Sequence, residues 1–568
     1  MGDTVKKKIS IGVEDFKEII EKDGYFVDKT LMIKKLIESQ AKVTLFTRPR
    51  RFGKTLNQFM IRRFFEDEVT EKGEKVDNGY LFDGLKIAEC GEEILKHQQQ
   101  YPVIFLTLKS AKQPTYEMAY ACLVDEICKE FERHSYVLQG ELSQRNREIF
   151  ERISLGKGSD DEYAKAFAFL SMCLFKYHKK KAIILIDEYD VPLENAYFEG
   201  FYDKMIKFIR SLFESALKTN PYLEKSVITG CLRISKESIF TGLNNLKVDS
   251  VLRTEYGDSF GFTESEVEEM LAYYNLQEEL TEVKRWYDGY LFNDIEIYNP
   301  WSIINYVYDR DRKITQFALP YWSNTSSNSI IREMVGEANQ KAKADLETLI
   351  NGGTIEKQVH EDITYGDIHQ TQDNLWNFLF FTGYLKKMSE RKDESGESLY
   401  LSMAIPNTEI KTIYKNSISY WFEQRMKETD RGPLVRALET GDCEAAEDFI
   451  NRQLADTISY YDYAENFYHG FMAGLLVNIG GYSVKSNRES GNGRPDIVIT
   501  ELKFRGRAMI LELKVSETIS GMEKKCEEGL AQIEKGNYAQ PLLDDGHQPI
   551  LKYAICFFKK GSMVRKAK

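Results

Sequence analysis

No stretch of this 568-residue chain approaches the roughly 18 consecutive apolar residues that a membrane-crossing helix needs, so no membrane partner is expected. Lys6, Lys7 and Lys8 are followed by no apolar run, which argues against a secretory leader. Cysteine is sparse and scattered: the eight residues Cys90, Cys122, Cys128, Cys173, Cys231, Cys443, Cys526 and Cys556 include no C-x-x-C pair. That spacing favours neither a disulfide framework nor a zinc site and fits reduced core thiols in a cytoplasmic protein. Positive charge is also in deficit. Lys plus Arg number 77 against 89 Asp plus Glu, for a net charge of −12, so the surface as a whole repels nucleic acid. Any such partner must find a local basic patch. Two are present: Lys42, Arg48, Arg50, Arg51 and Lys54 form one, and the tail Lys552–Lys568, with six basic and no acidic residues, forms the other. The tail also reads as a solvated, partly disordered terminus.

What remains is a globular composition, 42% hydrophobic and 29% charged, on a chain long enough for about three or four domains. Residues 11–38 carry two amphipathic helix patterns around Tyr25-Phe26-Val27-Asp28-Lys29-Thr30. The apolar segment Val43–Thr47 then runs into Arg48-Pro49-Arg50-Arg51-Phe52-Gly53-Lys54-Thr55, and Leu56, Phe59, Met60 and Phe64 follow at helical spacing. Strand, glycine turn, lysine, hydroxyl and helix N-terminus are the parts of a phosphate-binding loop. Gly53 lets backbone N–H groups approach phosphate oxygens, Lys54 meets the β- and γ-phosphates, and Thr55 serves Mg²⁺. The usual motif, G-x-x-x-x-G-K-[ST], would place its first glycine where Arg48 stands.

Strands are expected at Val103–Leu108, Ala182–Asp187 and Ser226–Gly230, with long helices over 115–178. Ala182-Ile183-Ile184-Leu185-Ile186 delivers Asp187-Glu188 to the end of a buried strand, where ligands of parallel sheets bind. Asp187 is the candidate Mg²⁺ ligand and Glu188 the candidate base for attacking water. Thr229 is placed to sense the γ-phosphate, and Arg233, with Lys236 beyond it, to neutralise transition-state charge. Gly257-Asp258-Ser259-Phe260-Gly261 fits the G-x-S-x-G pattern of an esterase nucleophile. The following helix starts too late for that role, at Thr263 with Glu266 completing a capping box, so a plain turn is expected.

Together with Ile186-Asp187-Glu188-Tyr189-Asp190, Phe260-Gly261-Phe262-Thr263-Glu264 and Trp286-Tyr287-Asp288-Gly289-Tyr290, the Tyr25–Thr30 and Arg48–Thr55 segments resemble the bacterial AAA-ATPase-like family over roughly residues 5–300. The resemblance implies a P-loop ATPase domain with a RecA-like parallel sheet binding ATP and Mg²⁺, and makes Arg48 a family trait. It leaves open whether Arg48, Arg50 and Arg51 face phosphate or nucleic acid.

Beyond this domain, set at 1–262, residues 263–330 read as a helical lid. Residues 331–435 read as a winged-helix-like module, from a helix over Asn374–Phe381 and strands over Tyr384–Met388 and Leu399–Met403. The loop between those strands mixes Arg391 and Lys392 with Glu390, Asp393, Glu394 and Glu397, which favours joining domains over holding DNA.

Residues 436–568 carry a second chemistry. Gly491-Asn492-Gly493-Arg494-Pro495-Asp496 precedes the apolar Ile497-Val498-Ile499, and Ala508–Lys514 holds Glu512 and Lys514 on one strand face by the period-2 rule. Pro-Asp…Glu-Leu-Lys resembles the signature of the PD-(D/E)XK nuclease superfamily. The resemblance implies a restriction-endonuclease-like α/β fold in which Asp496, Glu512 and the Leu513 carbonyl hold Mg²⁺ and Lys514 orients the attacking water. Glu465 and His469 lie four apart on a helix running to Leu476. Gln532 and Tyr538 follow at the spacing of RecB-like members, which implicates Glu465 and Gln532 in the site.

The sequence thus describes a multidomain α/β ATPase with a Mg²⁺-dependent nuclease domain acting on nucleic acid, DNA or RNA, with homo-oligomerisation left open. The competing description is a nucleotide-switched interaction protein whose nuclease fold only binds a nucleic acid or another partner.

Overall fold

The computed structural model describes residues 6–233, 239, 245–253, 255–324, 331, 339–361, 372–456, 465–477, 479–486 and 495–568, with the backbone alone at some helix residues, Glu465 among them. Lys236 and residues 491–494 lie outside the described residues. The chain divides into two compact units, one built from Met1–Ser326 and Thr354–Thr412 and the other from Ser327–Gly353 and Ile413–Lys568. Among the described residues no helix is long and apolar enough to cross a membrane.

The first unit is organised on five strands, β1 (Val43–Thr47), β2 (Val103–Thr107), β3 (Ala182–Asp187), β4 (Leu223–Gly230) and β5 (Leu246–Asp249). Their order is β2-β3-β4-β1-β5, and every neighbouring pair is parallel. β1 and β3 are buried along their whole lengths, as unbroken aliphatic strands are when helices cover both sheet faces. The helix Lys54–Phe65 turns Met60, Ile61 and Phe64 into that core. Parallel order brings all five carboxyl ends to one edge, so the residues after β1, β3 and β4 meet there. β5 was not legible as a strand: its four residues, Leu-Lys-Val-Asp, pair only with β1 at the sheet edge and are half-exposed up to Asp249.

The segment expected to be helical through 263–330 has helices at Glu264–Tyr273, Leu280–Tyr287 and Pro300–Asp311, but it also holds an antiparallel sheet. That sheet, β6 (Phe262–Thr263), β7 (Tyr290–Phe292) and β8 (Ile295–Tyr298), is ordered β6-β8-β7. Its hairpin turns on Asn293-Asp294, with Asn293 in the left-handed region at φ 53°, a two-residue turn signal between apolar runs. The Thr263 capping box with Glu266 forms as expected. So does the ribbon β10 (Lys386–Lys392) with β11 (Leu399–Ala404) after the helix Gln372–Phe381. A further strand, β9 (Ile355–Val359), pairs with the far side of β11 to make three strands, and Arg391 is paired with Glu356 at 2.5 Å.

The second unit is a mixed sheet of β12 (Tyr482–Ser486), β13 (Ile497–Glu501), β14 (Ala508–Val515), β15 (Ile550–Phe558) and β16 (Gly561–Lys566), in that order. Only β14 and β15 run parallel. Met472 and Leu475 of the helix Glu465–Leu476 pack on one face with Leu511, Leu513 and Ile555. On the other face Cys526 and Ile533 of the helix Met522–Lys535 meet Ala554 and Ile510. Gly529 permits that approach: a Cβ there would lie 3.0 Å from the Ala554 Cβ. The basic tail is corrected by these strands. Lys552–Lys568 is sheet rather than a loose terminus, and Lys552, Lys560 and Arg565 are paired with Glu534, Glu347 and Glu523. Three of the six cations of this stretch are thereby paired with acids.

Candidate active sites

At the carboxyl edge of the parallel sheet, Gly53 sits at φ 81° and opens the helix Lys54–Phe65, whose first turn has no side-chain cap and no acidic residue. Its leading N–H groups are therefore available to an anion. The Thr55 hydroxyl donates to Asp187 Oδ2 at 2.8 Å, and the Thr229 hydroxyl donates to Asp187 Oδ1 at 2.7 Å. The helix after β1 and the strand β4 thus each contribute a hydroxyl to the single buried carboxylate of β3. Burial, and then the neighbouring Glu188, push the Asp187 carboxyl above the usual range, while Lys109, Thr229 and Thr55 oppose that shift.

Lys54 is nearly buried. Its ammonium donates to the carbonyls of Arg48 at 3.2 Å and Pro49 at 3.1 Å, and lies 3.5 Å from both Cys231 Sγ and Glu188 Oε1. Burial alone would lower its pKa, but Cys231, Glu188, Asp190 and Asp187 reverse this and hold it above the ordinary lysine value. Glu188 occupies the left-handed region at φ 54°, a strained placement for a non-glycine residue at the end of a strand. Ligand atoms of Glu188, Asp190 and Cys231 lie within 4.8 Å of one another beside this ammonium. Asp190 accepts from the N–H groups of Cys231 and Leu232, and burial followed by Glu188 pushes its carboxyl up to about 6.

The arginines separate. Arg48 does not reach into the loop: its side chain is wholly buried and donates to the Asp249 carboxylate at 2.5 Å and the Asp249 carbonyl at 2.8 Å. The guanidinium also packs over the rings of Phe260 and Phe292. Arg48, left open between phosphate and nucleic acid, is thus engaged with Asp249 at the end of β5. Arg50 is paired with Glu194. Arg51 is exposed, with φ 70°, and its guanidinium stacks 4.5 Å above Trp301. Arg233 lies 3.7 Å from Glu361.

Other motifs of the sequence are engaged in local structure. Asp28 accepts from the Thr30 N–H and hydroxyl, and Lys29 makes a buried pair with Glu266 at 2.6 Å. Ser259 lies in a short turn, Gly257–Ser259, and is nearly buried. Sequence reasoning missed Lys109, Asp190 and Cys231. The signal for the last two is present: both stand within three positions of the end of a strand that carries candidate residues. Lys109 gave none.

In the second unit Asp496 directly precedes β13, and its Oδ2 accepts from the Leu513 N–H on β14 at 2.8 Å. Lys514 Nζ donates to Glu512 Oε1 at 2.9 Å and to Gln532 Oε1 at 2.8 Å. Gln532 in turn reaches the Tyr538 hydroxyl at 3.5 Å. Glu512 is 1% exposed, and its Oε2 is buried with no hydrogen-bond partner. Burial, then Asp496, push its carboxyl up to about 7. Of Glu465 the backbone alone is described, at the start of its helix. His469 on the same helix has Nε2 3.4 Å from the Asp496 carbonyl. The structure therefore brings Asp496, Glu512, Lys514 and Gln532 together and puts His469 beside them.

Comparison with known proteins agrees with the two domains. Residues 10–240 match the family described as predicted AAA-ATPase, and residues 463–567 match the PD-(D/E)XK nuclease superfamily. A protein of Azotobacter chroococcum mcd 1, described as an uncharacterized protein in the vnfD 5′ region, is 23% identical over 527 residues, covering 90% of each chain. The chain carries a predicted AAA-ATPase domain in its N-terminal half and a PD-(D/E)XK nuclease superfamily domain at its C-terminal end.

Proposed function

We propose that the chain is an ATPase and a Mg²⁺-dependent nuclease, with the two reactions at separate sites. The observation that carries the first activity is the convergence of Thr55 and Thr229 on Asp187, with Lys54 and Glu188 alongside. Lys54 and the free N–H groups of the following helix bind the phosphates, and Thr229 reports on the terminal one. Glu188 takes the proton of the attacking water.

The second activity rests on the buried, unpartnered Glu512 Oε2 beside Asp496. Two carboxylates sharing a dry site with one oxygen unsatisfied fit a divalent cation, with Asp496 and Glu512 as its holders. Bound Mg²⁺ would lower the pKa of water and polarise a phosphodiester there. Lys514, fixed by Gln532, positions the water and neutralises charge on the cleaved phosphate, while Glu465 completes the site from its helix. Thr55 and Asp187 fit a second Mg²⁺ in the same way, hydroxyl against carboxylate.

Lys54→Ala tests the first half: ATP hydrolysis is lost. The two sites act as a coupled pair in this reading. A Lys54→Ala chain that cleaves nucleic acid with unchanged rate and substrate choice would show them to be independent.

A further inference from the structure

We propose that Lys109 is a second cation of the nucleotide site, held by Glu14 until ATP arrives and then contacting the terminal phosphate. This rests on the reading of the N-terminal site as an ATPase. Lys109 opens the turn Lys109–Ala111 directly after β2. β2 is the parallel neighbour of β3, with Thr107 opposite Asp187, and the Leu108 N–H donates to the Asp187 carbonyl at 3.0 Å. Lys109 is thereby delivered to the same sheet edge as the Thr55–Asp187 pair.

Its side chain points there too. Lys109 Nζ lies 3.8 Å from Asp187 Oδ2, the oxygen that accepts the Thr55 hydroxyl. The same ammonium donates to Glu14 Oε1 at 2.8 Å. Lys109 is one-third exposed while Asp187 has no exposure, so the lysine stands at the open side of the carboxylate. The other cations of this edge are placed differently. Lys54 is buried against loop carbonyls, Arg50 is paired with Glu194, Arg51 stacks on Trp301 and Arg233 lies near Glu361. Among the described residues Lys109 is the cation best placed at the open side of Asp187.

In the reaction the water oxygen bonds to the γ-phosphorus and the water proton passes to Glu188. The bond from that phosphorus to the bridging oxygen breaks, and its electron pair leaves on ADP. Lys109 forms no covalent bond. It exchanges the Glu14 carboxylate oxygen for a non-bridging γ-oxygen and offsets the charge that grows there, a contribution worth about 100-fold or more for a preorganised donor. Glu14 sets where the ammonium waits.

The test compares wild type, Lys109→Gln, Lys109→Arg and Glu14→Gln in the full chain for ATP turnover and for binding of ADP and a non-hydrolysable ATP analogue with Mg²⁺. Lys109→Gln is expected to cut kcat by about 100-fold and to weaken the analogue while leaving ADP affinity within about threefold; Lys109→Arg recovers most of the loss. Glu14→Gln keeps the preference for analogue over ADP. Equal loss of both nucleotides in Lys109→Gln, or turnover within about threefold of wild type, would overturn the proposal. A wild-type chain that binds neither nucleotide would instead defeat the ATPase reading itself.

Discussion

Thr55 and Asp187 are 132 positions apart in the chain and 2.8 Å apart in space. That one hydrogen bond joins the phosphate loop to the third strand, and it exists because β4 separates β1 from β3 by a single strand and aims Thr229 at the same carboxylate. Thr55→Ala is expected to lower ATP turnover by about 100-fold. Its cost in stability is only about 1 kcal/mol, the scale of one hydrogen bond. Steady-state kinetics beside a denaturant melt separate the two. A Thr55→Ala protein with normal turnover contradicts the assignment.

Arg48 makes the opposite prediction. Its fully buried pair with Asp249 ties the loop to the end of β5, so removing one partner leaves a buried charge alone. Arg48→Ala should cost about 3 to 5 kcal/mol of stability, and Asp249→Asn less, since an amide still accepts a hydrogen bond. Equilibrium unfolding reads this directly. An Arg48→Ala chain as stable as wild type but unable to bind ATP would return Arg48 to the phosphate.

Glu512, pushed up to about 7 by burial and Asp496, holds its proton near neutrality and must release it to take a divalent cation. Mg²⁺ affinity at this site should rise with pH up to about 7 and level off above, with about one proton released per ion bound at pH 6. Calorimetry in buffers of different ionisation enthalpy counts that proton. Glu512→Gln should abolish both the binding and the release, and a pH-independent affinity in the wild type would count against the site.

Glu409 offers a test of stability rather than activity. It accepts from the Trp322 N–H and the Ser302 hydroxyl, and burial pushes its carboxyl up to about 7. A carboxyl raised on folding keeps its proton while the unfolded chain has lost it. Stability therefore falls as pH rises from about 4.5 to 7 and is flat above. Glu409→Gln removes that fall, because an amide can accept from Trp322 and donate to Ser302. It should be more stable than wild type at pH 8, by about 3 kcal/mol. Unfolding curves at pH 5 and pH 8 decide it, and a mutant less stable than wild type at pH 8 contradicts the protonated reading.

Residues that announce their chemistry by type and strand position were legible. Gly53-Lys54-Thr55, Asp187 and Asp496…Glu512-Leu-Lys514 each follow or lie on an apolar run, and in each unit the run ends where the groups meet. What escaped had no such frame. Arg48 stands in the same basic loop as Lys54; only the position of Asp249, on an edge strand too short and too polar to recognise, shows where its charge is met. Lys109 was invisible because its role depends on β2 lying beside β3, a pairing that no local pattern encodes. The hairpin β7–β8 was lost among flanking helices, although Asn293-Asp294 marked its turn. In the tail, Lys552 and Arg565 find acids on the helix Met522–Lys535, a pairing that charge counting in sequence cannot see.

The most direct test of the account is Mg²⁺-dependent cleavage of labelled single- and double-stranded DNA and RNA by the full chain, with Lys514→Ala as the control. The account predicts cleavage of at least one of these substrates by the wild type and a loss of about 100-fold or more in Lys514→Ala. Absence of cleavage on every substrate, or equal cleavage by Lys514→Ala, would contradict it and leave the C-terminal unit a binding module.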